Sequence, residues 1–343
     1  MITGFDRLMA AANGEKSDRI PVFCNLLDQG AKELGLSLKE YYSKGEYVAE
    51  GQLKMREKYG YDNLWSLFYV GKEAELLGCK NIIYANDGPP TIGHMVFRKP
   101  EDIHNMVIPD DISNHPEFQE TLKCLQILKK ESGDKYPICA YITASMAMPA
   151  MLMGMEKWMD MLLSGPFDLR DKLLAMTSDF FKKQLVAYRK AGADIIIYSN
   201  PFGSPYFVSA KLFNELSMPW MEKDLQGVDR FGLVYYCGGA RMNQVLNQVI
   251  EKLGFATFYL SPFDDIAQGK QLIAGRALCA GVINDIKLID WTYDEIKAEV
   301  KRMLDAGMKG GKFFFGTLVM PLYIPEKNIR YMLEAVYEYG SYA

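Results

Sequence analysis

FGLVYYCGG, residues Phe231 to Gly239, is a short apolar run that stops at a cysteine and a glycine pair. Four to eight apolar residues closed by glycine form a buried strand, and Val234, Tyr235 and Tyr236 add the β-branched and aromatic character that strands favour. Successive side chains alternate between faces, so Tyr235 and Cys237 share one side and Val234 and Tyr236 the other. What this strand end faces decides the chemistry.

The pattern repeats on both sides of that stretch. Upstream, strands are expected at Ile20 to Cys24, Asn63 to Phe68, Pro137 to Thr143 and Asp194 to Ser199; downstream, at Phe255 to Leu260, Leu278 to Val282 and Lys312 to Phe315. Helical periodicity fills the intervals, over Gly45 to Tyr59, Glu117 to Lys130, Phe167 to Lys190, Ala210 to Leu225, Met242 to Leu253, Asp265 to Ile273, Tyr293 to Ala306 and Glu326 to Tyr339. A further helix at Gly4 to Asn13 precedes the first strand, and Met153 to Leu163 adds one more. After the second strand, Cys79 to Tyr84 and His94 to Phe97 read as a β-hairpin insertion across the turn ANDGPP. Eight buried strands alternating with helices predict an α/β chain, a single (β/α)8 TIM barrel over residues 1–343. A doubly wound open sheet is the rival. Its phosphate loop is missing, since CNLLDQGAKELG does not match GxGxxG and no GxxxxGK[ST] occurs.

Hydrophobic content of 49% and charged content of 24% are those of a chain that buries a large core. A net charge of -4 offers no basic field for nucleic acid. No apolar run is long enough for a membrane span and no signal-peptide core opens the chain, so a cytoplasmic location is expected. The six cysteines are scattered without CxxC pairs and are expected to be reduced thiols. Only three histidines, His94, His104 and His115, are present, and none is near Cys237 in sequence.

In a barrel of this kind the active site lies at the C-terminal ends of the strands. Those ends carry Asn25 and Asp28; Ser66 and Tyr69; Tyr141, Thr143 and Ser145; Tyr198 and Asn200; Tyr235 and Cys237; Tyr259, Ser261 and Asp264; Asn284 and Asp285; Thr317 and Met320. Such a mouth is aromatic and amide-rich, and poor in the arginines that a polyanionic substrate would pair with. It suits a flat aromatic ligand or a methylated cation held by aromatic faces. Asp264 with Asp265 is read as a helix N-terminus, Asn284 with Asp285 as a turn, and the methionines from Met146 to Met161 as helix packing.

IPVF after FDRLMAAANGEKSDR, then YDNLWSLFYVGKEAELLGC, YYCGG, GVINDIKLIDWTYDEI and IPEKNIRYMLEAV resemble the uroporphyrinogen decarboxylase superfamily over nearly the whole chain. The resemblance implies the same barrel and two activities, porphyrinogen decarboxylation or methyl transfer involving a corrinoid protein. The decarboxylase branch carries an arginine-rich segment where this chain has CNLLDQG, and an aspartate that falls at Tyr69 here. The methyltransferase branch binds zinc through a His-x-Cys pair after the fifth strand and a cysteine after the eighth. Here Tyr235 stands in the histidine position, Cys237 matches the cysteine, and FGTLVMP from Phe315 to Pro321 holds none. Zinc of that kind is not expected. Ether-cleaving relatives use a Glu, Glu, His set, which Glu57, Glu73 and His94 approximate in spacing.

The resulting expectation is a methyltransferase that moves a methyl group from a small methylated substrate, a methoxylated aromatic in the leading reading, to the Co(I) of a separate corrinoid (cobalamin-binding) protein. No cofactor is expected to be held tightly by the chain itself. Tyr235 and Tyr141 are the expected acids; Asn25, Asn200 and Asn284 would orient substrate oxygens; Tyr69, Tyr198 and Cys237 complete the binding set. A betaine-type quaternary amine is the alternative donor, and decarboxylation or a non-catalytic barrel the remaining ones.

Overall fold

Ten strands are present in the computed structural model, which describes residues 2–85 and 88–342: β1 (Val22–Asn25), β2 (Leu64–Trp65), β3 (Ile82–Ile83), β4 (Thr91–Ile92), β5 (Ile138–Thr143), β6 (Ile195–Ser199), β7 (Leu233–Tyr236), β8 (Thr257–Tyr259), β9 (Leu278–Val282) and β10 (Phe313–Val319). Eight of them form one sheet in the order β1-β10-β9-β8-β7-β6-β5-β2, paired in parallel throughout. β3 and β4 make a separate antiparallel hairpin between β2 and β5. This is the expected (β/α)8 barrel with its insertion. The hairpin pairs Ile82 with Ile92, two residues earlier than the expected second strand; part of the expected turn, residues 86–87, lies outside the described residues.

The sheet closes between β1 and β2, and side chains supply most of the seam. One backbone bond, Asp62 N to Val22 O at 2.8 Å, is joined by Asn63, whose Oδ1 accepts from Cys24 N at 2.9 Å. Trp65 Nε1 donates to Cys24 O at 3.0 Å, and Asp62 Oδ2 accepts from Val22 N at 2.9 Å. This explains why β2 is two residues long where the apolar run from Asn63 to Phe68 predicts six. Buried Asp62 is held in turn by Arg19 at 2.5 Å and Arg7 at 3.0 Å, the compensation a buried carboxylate requires.

Lateral register fixes which side chains enter the barrel. Thr143, Ser199, Tyr236, Tyr259, Ala280 and Phe314 are successive neighbours across β5 to β10. Members of this row meet across intervening strands: Tyr259 and Phe314 have centroids 5.6 Å apart although β9 lies between their strands. The row therefore faces the lumen. Tyr198, Tyr235 and Phe258 form the opposite row, and Tyr198 packs edge-on against Phe181 of the Phe167–Ala191 helix at 5.2 Å, so this row faces the helical layer. The helices expected at Ala210 to Leu225 and Met242 to Leu253 each contain a π-helical turn, at Phe213–Ser217 and Val249–Leu253. Among the described residues no helix is long and apolar enough to cross a membrane.

Candidate active site

The C-terminal ends of the strands gather aromatic rings and buried carboxyl groups, beside a buried lysine, Lys72, that is already ion-paired. Tyr141 and Tyr236, both half-buried, face each other at 6.4 Å; Phe68 packs on Tyr141 at 4.1 Å and Tyr259 on Tyr236 at 6.1 Å. The Tyr141 hydroxyl donates to Ser199 Oγ on the neighbouring strand. Asp285, on the loop after β9, is 6% exposed; burial first, and then the nearness of Tyr141 and Asp285, raise the Tyr236 hydroxyl well above its ordinary pKa. Burial pushes the Asp285 carboxyl itself up to about 6.

A second carboxyl follows β1. The Leu27–Leu34 helix places Asp28 in its first turn, 0% exposed. Tyr42 Oη donates to Asp28 Oδ1 at 2.5 Å, while Oδ2 has no partner, and burial again raises the carboxyl to about 6. Tyr42 packs edge-on against Tyr69 at 5.1 Å. The Tyr69 hydroxyl donates to Glu75, which also takes Lys72 at 3.0 Å; Lys72 reaches Glu117 at 3.2 Å as well, so this buried cation is fully engaged. Asn25 Oδ1 is buried without a partner.

Other strand-end residues hold loops. Asp264 accepts from Met242 N at 2.9 Å, Asn243 N at 3.2 Å and Ser261 N at 3.1 Å, tying the loops after β7 and β8 together. Asp265 caps the Ile266–Ile273 helix through Gln268 N, and Asn284 Oδ1 accepts from Lys287 N at 3.0 Å. These are the helix-start and turn roles the sequence predicts, and Asn284 is thereby engaged in its own turn rather than turned to a substrate.

Four expectations change. Tyr235 is 0% exposed and lies in the row facing the helices, 5.3 Å from Phe255, so its hydroxyl is not placed to protonate anything in the lumen. Tyr198 shares that row, and its hydroxyl donates to buried Asp224 at 2.7 Å. Asn200 donates to Met221 Sδ at 3.1 Å in the Met218–Leu225 helix, with its Oδ1 unpartnered. Glu57, Glu73 and His94 do not meet: Glu57 is exposed on the Gly45–Tyr59 helix, His94 is exposed beyond the hairpin, and Glu73 is buried, accepting from Thr143 N at 2.9 Å and from the Thr143 hydroxyl. Burial lifts Glu73 to about 7 despite those bonds. Among the described residues no group of three His, Cys, Asp or Glu side chains is arranged to hold a metal.

The zinc that the family resemblance implies does not fit these residues. Zinc requires three or four deprotonated donors. Of the three ligand positions only Cys237 carries such a donor: Tyr235 stands where the histidine would be and faces the helices, and Phe315 to Pro321 holds no cysteine. Reading the sequence missed Tyr236 and placed Asp285 in a turn. An apolar run with both faces buried carries no mark of which face is the lumen; the register does.

The uroporphyrinogen decarboxylase (URO-D) family matches residues 3–339. The methylcobamide:CoM methyltransferase MtaA of Methanosarcina barkeri (strain Fusaro / DSM 804) is 24% identical over 339 residues, covering 97% of each chain. A methylated-thiol–coenzyme M methyltransferase of Methanosarcina mazei is 25% identical over 240 residues, covering 68% of this chain and 63% of that one. Among solved structures, a methyltransferase from Methanosarcina mazei superposes with a TM-score of 0.84 at 22% identity, covering 98% of this chain and 99% of that chain.

Proposed function

The chain belongs to the uroporphyrinogen decarboxylase family, and within it we propose a methyltransferase that takes a methyl group from a small methylated substrate, a methoxylated aromatic, and passes it to a corrinoid carried by a separate protein. Support for methyl transfer comes from the relatives named as methyltransferases. Support for the donor comes from one feature of the mouth: half-buried tyrosines at strand ends that also carry three buried, protonatable carboxyls, Asp28, Glu73 and Asp285, while Lys72 is already paired and Arg241 lies exposed on the loop after β7. A substrate with many carboxylates would be desolvated there without partners.

The corrinoid, brought by its own protein, supplies the nucleophile. This chain's residues position and protonate. Phe68, Tyr141 and Tyr236, already in contact with one another, form one aromatic wall against which an aryl ring packs, holding its methoxy carbon toward the opening. A departing phenolate needs a proton, and Asp285, with its carboxyl near 6, keeps on the order of a tenth of molecules protonated at pH 7. Asp28 is the second donor, its bound Tyr42 hydroxyl holding one oxygen so that the other can carry the proton. Asn25, with a free buried carbonyl oxygen, orients a polar substituent.

A betaine-type donor is the second reading. The same carboxyls, ionised and without counter-cations, would attract a methylated ammonium whose leaving amine departs neutral. Incubation with cob(I)alamin and either methoxybenzoates or betaines, followed by its loss of absorbance, tests both. Methylcobalamin from methoxybenzoates is the expected result. Formation from betaines alone would replace the leading donor, and none from either class would overturn methyl donation.

A further inference from the structure

The opposite end of the lumen is hollow. Barrel interiors of this type are normally packed with layers of side chains. Here a cavity of about 350 Å³ lies on the N-terminal side of Tyr259, walled by the lumen-facing Phe23, Cys139, Ile197, Val234, Leu278 and Phe314. Trp65 lines it as well. Its floor is the N-terminal helix α1 (Gly4–Asn13), which turns Phe5, Leu8, Met9 and Ala12 toward it. Those four sit at i, i+3, i+4 and i+7, one helical stripe. Phe5 and Met9 remain half-buried, as expected of an apolar stripe laid over a space rather than over a packed core.

Charge at the strand starts is one-sided. Arg230, Arg276 and Lys312 line the cavity with a single carboxylate, Asp194, which is already held by Lys129 Nζ at 3.0 Å and by Ile138 N at 3.0 Å. Arg276 pairs with Glu251 at 3.2 Å on the protein surface. Arg230 donates through Nε and Nη1 to the carbonyls of Leu253, Leu225 and Val228; its Nη2 makes no hydrogen bond and it has no carboxylate partner among the described residues. Lys312 has φ of 49°, a left-handed conformation that costs a side-chain-bearing residue and is retained where the surroundings use it.

We propose that this cavity is a second ligand site, separate from the mouth, for a small amphiphilic carboxylate. The apolar tail fills the lumen below Tyr259, and the carboxylate meets Lys312 and Arg230 at the rim. Trp65 in the wall provides the readout: 8-bromo-octanoate quenches its fluorescence, and octanoate competes the quencher away. Two variants of the full chain locate the site. Ala12→Phe, on the floor helix, fills the space and abolishes quenching. Lys312→Gly removes a charge at a position whose backbone favours glycine, so folding is preserved, and weakens octanoate by about tenfold while leaving 1-octanol unchanged. Absence of quenching at millimolar ligand overturns the site, as does quenching untouched by Ala12→Phe. Equal loss of octanoate and octanol in Lys312→Gly overturns the assignment of the anion.

Discussion

Replacing Asp28 by asparagine tests whether the mouth holds carboxyls that burial keeps from ionising. An unfolded aspartate titrates near 3.9; in the folded chain Asp28 is raised to about 6 by desolvation, only partly offset by the Tyr42 hydroxyl. Between those values the folded state binds more protons than the unfolded one, so stability is full below about 4 and falls as pH rises through about 6. The two-decade gap corresponds to a loss of about 3 kcal/mol at pH 8, where both states are ionised, and of about 1.5 kcal/mol at pH 5. The amide of the variant cannot ionise. Urea denaturation of parent and Asp28→Asn at the two pH values should therefore show the variant gaining roughly 1.4 kcal/mol relative to the parent from pH 5 to pH 8, whatever fixed offset the amide introduces. A difference independent of pH, or one of opposite sign, would show that Asp28 ionises freely and that the mouth is wetter than described.

Other perturbations separate the two faces of β7 and test its supports. Tyr236→Ala should lower kcat/KM for the methylated donor at least tenfold, whereas Tyr235→Phe, which removes an unpartnered buried hydroxyl, should leave kinetics unchanged and stability within about 1 kcal/mol of the parent. Asp62→Asn strips the carboxylate from Arg7, Arg19 and Val22 N at the barrel seam, and denaturation should record a loss of about 3 to 5 kcal/mol. All six cysteines are buried, so a maleimide at pH 8 should label none in the native protein and all of them in denaturant.

The strand count, the helical intervals and the hairpin were legible because apolar runs closed by glycine recur with helical stretches between them. Boundaries failed where side chains replaced backbone pairing, as at Asn63 and Trp65 in the seam. The site was harder to read. Asn25, Tyr69 and Tyr141 do lie at or just past strand ends, but Tyr198 and Tyr235 lie on strands whose two faces are equally apolar, and only lateral pairing with Phe258 and packing against the helices assigns them outward. Asp285 looked like a turn residue because the Tyr236 hydroxyl it neighbours is remote in sequence.

The pH dependence of single-turnover methyl transfer to cob(I)alamin from a methoxybenzoate tests the central claim most directly. If a buried carboxyl near 6 protonates the leaving phenolate, the rate falls as pH rises through about 6, with a slope approaching tenfold per pH unit, and Asp285→Asn flattens that limb. A rate that climbs through the same range, or a slope unchanged in Asp285→Asn, would contradict the account.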